Sequence, residues 1–87
     1  RQRESEEAES RPVSQVAVLG AGVMGGGIAH LVADRAGLPV RIKDVRVEAL
    51  TTAMRHAGDL FARQLARRRI TAPEKRRRLA LLRPALD

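Results

Sequence analysis

Gly20, Gly22 and Gly25 stand in G-x-G-x-x-G spacing, and Asp44 follows 19 residues after the last of them. Three glycines at these intervals suit a turn that brings bare backbone up to an anion. The first permits a tight bend, the second removes a Cβ from the line of approach, and the third lets a helix close onto a strand. The free N–H groups of the first helical turn then face the anion, and the positive end of the helix dipole favours it without any side-chain charge. A carboxylate placed beyond such a turn can accept hydrogen bonds from ribose hydroxyls, each worth about 1.5–3 kcal/mol. The same charge repels a ribose 2′-phosphate, so Asp44 favours NAD over NADP even though Lys43 and Arg46 flank it with the opposite charge. A competing assignment makes Asp44 the N-cap of the helix that follows. Seven glycines in 87 residues produce such spacings by chance, so the chemistry depends on the elements around them.

Those elements fall in the required order. Val13 to Leu19 is a short apolar run rich in valine that ends at Gly20, as expected of a strand buried on both faces of a parallel sheet. Met24, Ile28, Leu31 and Val32 then recur at helical spacing, and Gly37 with Pro39 supplies the stop. Val40 to Asp44 alternates apolar Val40 and Ile42 with Arg41 and Lys43, which predicts a strand near a sheet edge with one wet face. Val47, Leu50, Met54, Ala57, Phe61 and Leu65 lay one apolar stripe along a helix of about six turns. Thr71 and Glu74 match a capping box with Pro73 in the first turn, predicting a short helix that carries Leu79 and Leu82 inward and stops by Pro84. The expected fold class is α/β: the N-terminal part of a doubly wound parallel sheet of the Rossmann βαβα type, incomplete, with two strands and three helices.

Composition narrows the function. At 44% hydrophobic and 31% charged the chain is globular, and its core must rest on Val, Leu, Ile and Ala because Phe61 is the sole aromatic. No cysteine is present, which removes thiolate metal sites and cysteine nucleophiles. No apolar run reaches membrane-span length and no h-region opens the chain, so a soluble, cytoplasmic setting is expected. Residues 1–12 hold four Glu and three Arg with almost nothing to bury, and are assigned as a linker or disordered segment outside the fold of residues 13–87. From Arg55 to Arg83, ten Lys or Arg face only Asp59 and Glu74, a net charge of +8. Such a stretch suits either a solvated helical surface or a small basic module for nucleic acid; aromatic platforms and a reading-helix motif, which would support the second, are missing.

The stretches VAVLGAGVMGGGIAH and AGLPVRIKD resemble the cofactor-binding start of the 3-hydroxyacyl-CoA dehydrogenases, especially the multifunctional alpha subunits of bacterial fatty acid oxidation complexes. The resemblance runs from residue 13 to 87. It implies that Gly20, Gly22 and Gly25 shape a phosphate turn, that Val23 and Met24 line an NAD site, and that Asp44 holds the adenosine ribose. It also implies a parent enzyme of fatty acid β-oxidation that oxidises (S)-3-hydroxyacyl-CoA to 3-oxoacyl-CoA, with a thiolase subunit as a partner. Residues 1–12 would correspond to a linker from an upstream hydratase domain. Another NAD-dependent 3-hydroxy acid dehydrogenase is the nearest alternative, although GGGIAH and RRRITAPEKRRR fit it less well.

Catalytic residues are not expected here. The family's His–Glu pair lies downstream of Asp87 in order, while His30 and His56 fall on helices, His30 at the boundary of the first and His56 on the polar flank of the second. No metal-ligand spacing is present. Read this way, the chain is an N-terminal fragment with an incomplete core, only marginally stable and inactive by itself.

Overall fold

The computed structural model describes residues 14–20 and 22–86. Strand β1 (Val16–Leu19) leads into helix α1 (Gly22–Arg35), strand β2 (Val40–Asp44), helix α2 (Val47–Ala66), helix α3 (Ala72–Leu79) and strand β3 (Leu82–Leu86). The strands form one parallel sheet in the order β1-β2-β3, with Val16 opposite Val40 and Val40 opposite Leu82. Residue 13 and the segment 1–12 lie outside the described residues.

Strand β3 corrects the expectation that Leu82 ends a third helix. Pro84 has no N–H to donate and reads as a stop, but it sits on the outer strand of the sheet, opposite Ile42, where a proline is tolerated. With β3 in place, β2 becomes the middle of three strands and not a strand near the edge. Its predicted alternation holds: Val40 and Ile42 are buried, Arg41 is exposed and Lys43 half-buried.

The same period explains why β1 is not buried on both faces. Val18 joins Val40, Ile42 and Leu82 in the core under the helices, whereas Ala17 is exposed and Leu19 is 74% exposed on the opposite face. All three helices lend side chains to that one core, which also takes in Ala29, Ala33, Leu50, Ala53, Ala57 and Phe61.

Helix α1 buries a different face from the one its large apolar residues mark. Gly25, Gly26, Ala29 and Ala33 are its buried positions, while Met24, Ile28 and Leu31 are exposed and only Val32 of that set packs on the core. The cause is the neighbouring helix. A Cβ built on Gly26 would lie 2.4 Å from the Ala53 carbonyl oxygen, so α1 and α2 cross with backbones nearly touching, and only small residues fit between them. Helix α2 keeps its predicted length and inner stripe, except that Val47 at its start is exposed.

Polar side chains tie the helices together at their other ends. Gln64 on α2 donates its amide to Asp34 Oδ2 at 3.1 Å and so presents Oε1 to His30 Nε2 at 3.0 Å, which makes that ring nitrogen the protonated one. Arg78 on α3 reaches the other Asp34 oxygen at 3.0 Å. The His30 ring also rests 4.4 Å from that of Phe61. His30 is therefore a structural residue, in keeping with its boundary assignment.

The capping box at α3 forms as predicted: the Thr71 N–H donates to Glu74 Oε1 at 2.8 Å, and the Glu74 N–H donates to Thr71 Oγ1 at 3.2 Å. Thr71→Ala is expected to cost about 1 kcal/mol in a denaturant titration. The Thr71 N–H, then its hydroxyl, hold the Glu74 carboxyl below its ordinary range. A carboxyl lowered in the folded state stabilises above its unfolded pKa and loses that contribution as pH falls through the folded value. Glu74→Gln should flatten this part of the acid-side decline, checked by unfolding midpoints recorded from neutral to acidic pH.

Candidate dinucleotide site

The carboxyl ends of β1 and β2 meet where the sequence places its glycines and its acid. Gly20 leaves β1 with φ +84°, and Gly22 opens α1 with φ +92°; both values belong to the left-handed region that side chains disfavour. The Gly20 N–H donates to the Lys43 carbonyl at 2.9 Å, which pins the turn to the end of β2. A Cβ added at Gly20 or Gly22 meets nothing within 4 Å and would project into open space beside the turn. Gly25 faces the other way. Its Cβ would stand 2.7 Å from the Gly20 carbonyl oxygen and 3.6 Å from Val18 Cγ1, so the absence of a side chain lets α1 close onto β1 and its turn. Gly20 and Gly22 thus share a left-handed backbone with open space beside it, and Gly25 permits the close helix packing.

A cleft of about 260 Å³ adjoins this turn, lined by Leu19, Gly20, Lys43, Asp44 and Val45. It brings Gly20 and Asp44 together across two strands. Asp44 Oδ1 accepts the Arg46 N–H at 2.9 Å, which fixes the carboxylate at the mouth of the β2–α2 loop. Arg46 is itself the N-cap of α2, with no side-chain bond to the helix, so Asp44 braces the turn before the helix and does not cap it directly. Val23 and Met24 lie on the first turn of α1, 59% and 79% exposed, outside the cleft lining. Sequence reasoning missed Leu19 and Val45 as cleft walls; their only signal was adjacency to Gly20 and Asp44.

A larger apolar groove of about 620 Å³ lies between α2 and β3, along Leu50, Met54 and Leu86 with Arg55 at its rim. It is separate from the glycine turn. The arginine runs also lie apart from it. Arg67, Arg68 and Arg69 follow the end of α2, and Arg76, Arg77 and Arg78 occupy the last turn of α3. Cations are favoured at both places by the negative end of the helix dipole. Among the described residues there is no cluster of potential metal ligands and no helix long and apolar enough to cross a membrane.

The turn and the braced acid lie at the carboxyl ends of adjacent parallel strands in one βαβ fold. Crystal structures of related enzymes superpose on it. The 3-hydroxybutyryl-CoA dehydrogenase of Escherichia coli is 36% identical over 88% of this chain, with a TM-score of 0.79. FadB2 of M. tuberculosis is 31% identical over 88%, with a TM-score of 0.80. The (S)-3-hydroxybutyryl-CoA dehydrogenase of Ralstonia eutropha is 26% identical over 87%, also with a TM-score of 0.80. The chain spans only 16% to 27% of the lengths of these three proteins. Residues 15–87 match the family described as "3-hydroxyacyl-CoA dehydrogenase, NAD binding domain". Glycine geometry, parallel βαβ order and this match agree, and the chain belongs to that NAD-binding domain family.

Proposed function

We propose that this chain supplies the diphosphate and adenosine-ribose part of the NAD site of a dehydrogenase acting on (S)-3-hydroxyacyl-CoA. The observation that carries the proposal is the pair of left-handed glycines at the end of β1, set beside Asp44 in one cleft. Amides of the first α1 turn would face the diphosphate, with Gly22 leaving the approach clear. Gly20 bends the chain and Gly25 keeps α1 seated against that bend. Val23 and Met24 would contact the cofactor from the start of α1, and Asp44 would accept the ribose hydroxyls. NAD, when bound, supplies the hydride acceptor; no described residue of this chain is assigned to moving the substrate proton.

In this reading the parent enzyme oxidises (S)-3-hydroxyacyl-CoA to 3-oxoacyl-CoA in cytoplasmic fatty acid β-oxidation. Its substrate is an acyl-CoA, and a thiolase subunit that consumes the 3-oxo product is its partner. The test uses the full protein that carries this segment. NAD should slow amide hydrogen exchange over residues 18–30, and (S)-3-hydroxybutyryl-CoA should then drive formation of NADH, followed by absorbance. Exchange unchanged over those residues at saturating NAD would remove the glycine turn from the cofactor site.

A further inference from the structure

We infer that Asp34 and Gln64, remote from the glycine turn, are positioning residues for the cofactor: they set the tilt of α1 and so the aim of its first-turn amides. The inference rests on the NAD site proposed above and extends it to how that site is held. Helix α1 begins with GVMGGGIA, a run without a polar side chain, so residues 22–29 cannot fix the direction of the helix by a side-chain bond. Close packing of Gly26 on Ala53 fixes where α1 crosses α2, but a single point of contact leaves the angle open. Among the described residues, the side-chain hydrogen bonds and ion pairs of α1 all fall on His30 and Asp34, in its second half. Gln64 Oε1 accepts from His30 Nε2 at 3.0 Å while Gln64 Nε2 donates to Asp34 Oδ2 at 3.1 Å, so one amide on α2 grips two positions a helical turn apart. Arg78 on α3 takes the other Asp34 oxygen at 3.0 Å and stands 3.9 Å from Glu74 of the capping box. The Asp34 side chain is only 16% exposed, so its charge-assisted bonds are shielded in a way that a surface ion pair is not.

The crossing at Gly26 acts as a fulcrum between this clamp and the turn. At about 1.5 Å per residue, Asp34 stands about 12 Å from it on one side and Gly22 about 6 Å on the other. A sideways slip of about 1 Å at Asp34 therefore swings the first-turn amides by about 0.5 Å the opposite way. Displacement of that size is the limit a well-aimed binding constellation tolerates. Asp44 does not share in the swing, because it ends β2 and is braced by the Arg46 N–H. Loss of the clamp is felt at the diphosphate and not at the adenosine.

The test measures binding of NADH, ADP-ribose and adenosine to the full protein that carries this segment, well below the melting midpoint of each variant. Calorimetry serves the first two ligands and NMR shifts the third. Gln64→Leu and Asp34→Ala should each weaken NADH and ADP-ribose by about threefold to tenfold and leave adenosine unchanged. Amides of residues 22–26 should exchange faster in both. Arg78→Met removes only the α3 arm of the clamp, which guards against loss of fold, and should weaken the same two ligands by less. Arg78→Lys keeps a cation for Asp34 and should restore their affinity. If folded variants bind NADH and ADP-ribose as the unaltered protein does, the positioning role is refuted while the NAD reading stands. Equal losses for adenosine and ADP-ribose would also refute it, because they would mark a general loosening of the fold. Failure of the unaltered protein to bind NADH or ADP-ribose would overturn the NAD reading and this inference with it.

Discussion

Gly26→Ala is expected to destabilise the protein by about 2 kcal/mol, because the new methyl group would overpack a helix crossing that has no slack. The added Cβ would lie 2.4 Å from the Ala53 carbonyl oxygen and 3.0 Å from its Cα. These are backbone atoms of the fully buried Ala53 on α2, so α1 and α2 must move apart to make room. Alanine's better helix propensity returns about 1 kcal/mol and is already included in the net figure. The clash is with main chain, so Ala53→Gly in combination should not restore stability; recovery by that second change would refute the crossing as described. Gly27, next in sequence, provides the control. A Cβ there meets only His56 ring atoms at 3.9 and 4.0 Å, an ordinary contact, so Gly27→Ala should be neutral or stabilising by up to about 1 kcal/mol. Urea unfolding of the three variants beside the unaltered protein measures all of these differences.

Gly25→Ala should act on the cofactor more than on the fold. Its methyl group would press on the Gly20 carbonyl oxygen at 2.7 Å, and that oxygen belongs to the turn itself. Either the turn shifts or α1 tips away from β1, and both displace the amides proposed to face the diphosphate. NADH affinity in the full protein should fall by about tenfold to a hundredfold, the loss expected when well-aimed charge-assisted bonds are misplaced. Fluorescence titration of NADH gives the affinity, and a thermal melt of the same sample separates it from unfolding. An unchanged dissociation constant would show that the anion site does not depend on how closely α1 approaches the turn.

These two neighbours show what the sequence could and could not reveal. Gly25 was legible because its spacing from Gly20 and Gly22 belongs to a local turn, whose demands are written over six residues. Asp44 was legible for a related reason: the alternation of Val40 and Ile42 with charged residues marks where β2 ends. Gly26 was not, since the partner that requires its smallness is Ala53, 27 positions away, and nothing in the local pattern names it. The same long-range contact inverted the reading of α1. Hydrophobic periodicity selected Met24, Ile28 and Leu31, yet backbone proximity to α2 selected the glycine and alanine face. Strand β3 escaped because Pro84 forbids a central strand but not an outer one, and only the assembled sheet tells which position it holds.

The side of the sheet that no described helix covers is divided in two. Ala17 and Leu19 on β1 lie opposite Arg41 and Lys43 on β2, with Arg83 and Ala85 beyond them on β3. A covering layer would need an oily half over β1, where no charge competes for solvent, and a hydrated or acidic half over the guanidinium groups, which lose too much on drying out unpaired. A uniformly greasy lid would strand Arg41 and Arg83, and a uniformly polar one would leave Leu19 wet. Whatever settles on that surface has its orientation dictated by the seam between the two halves.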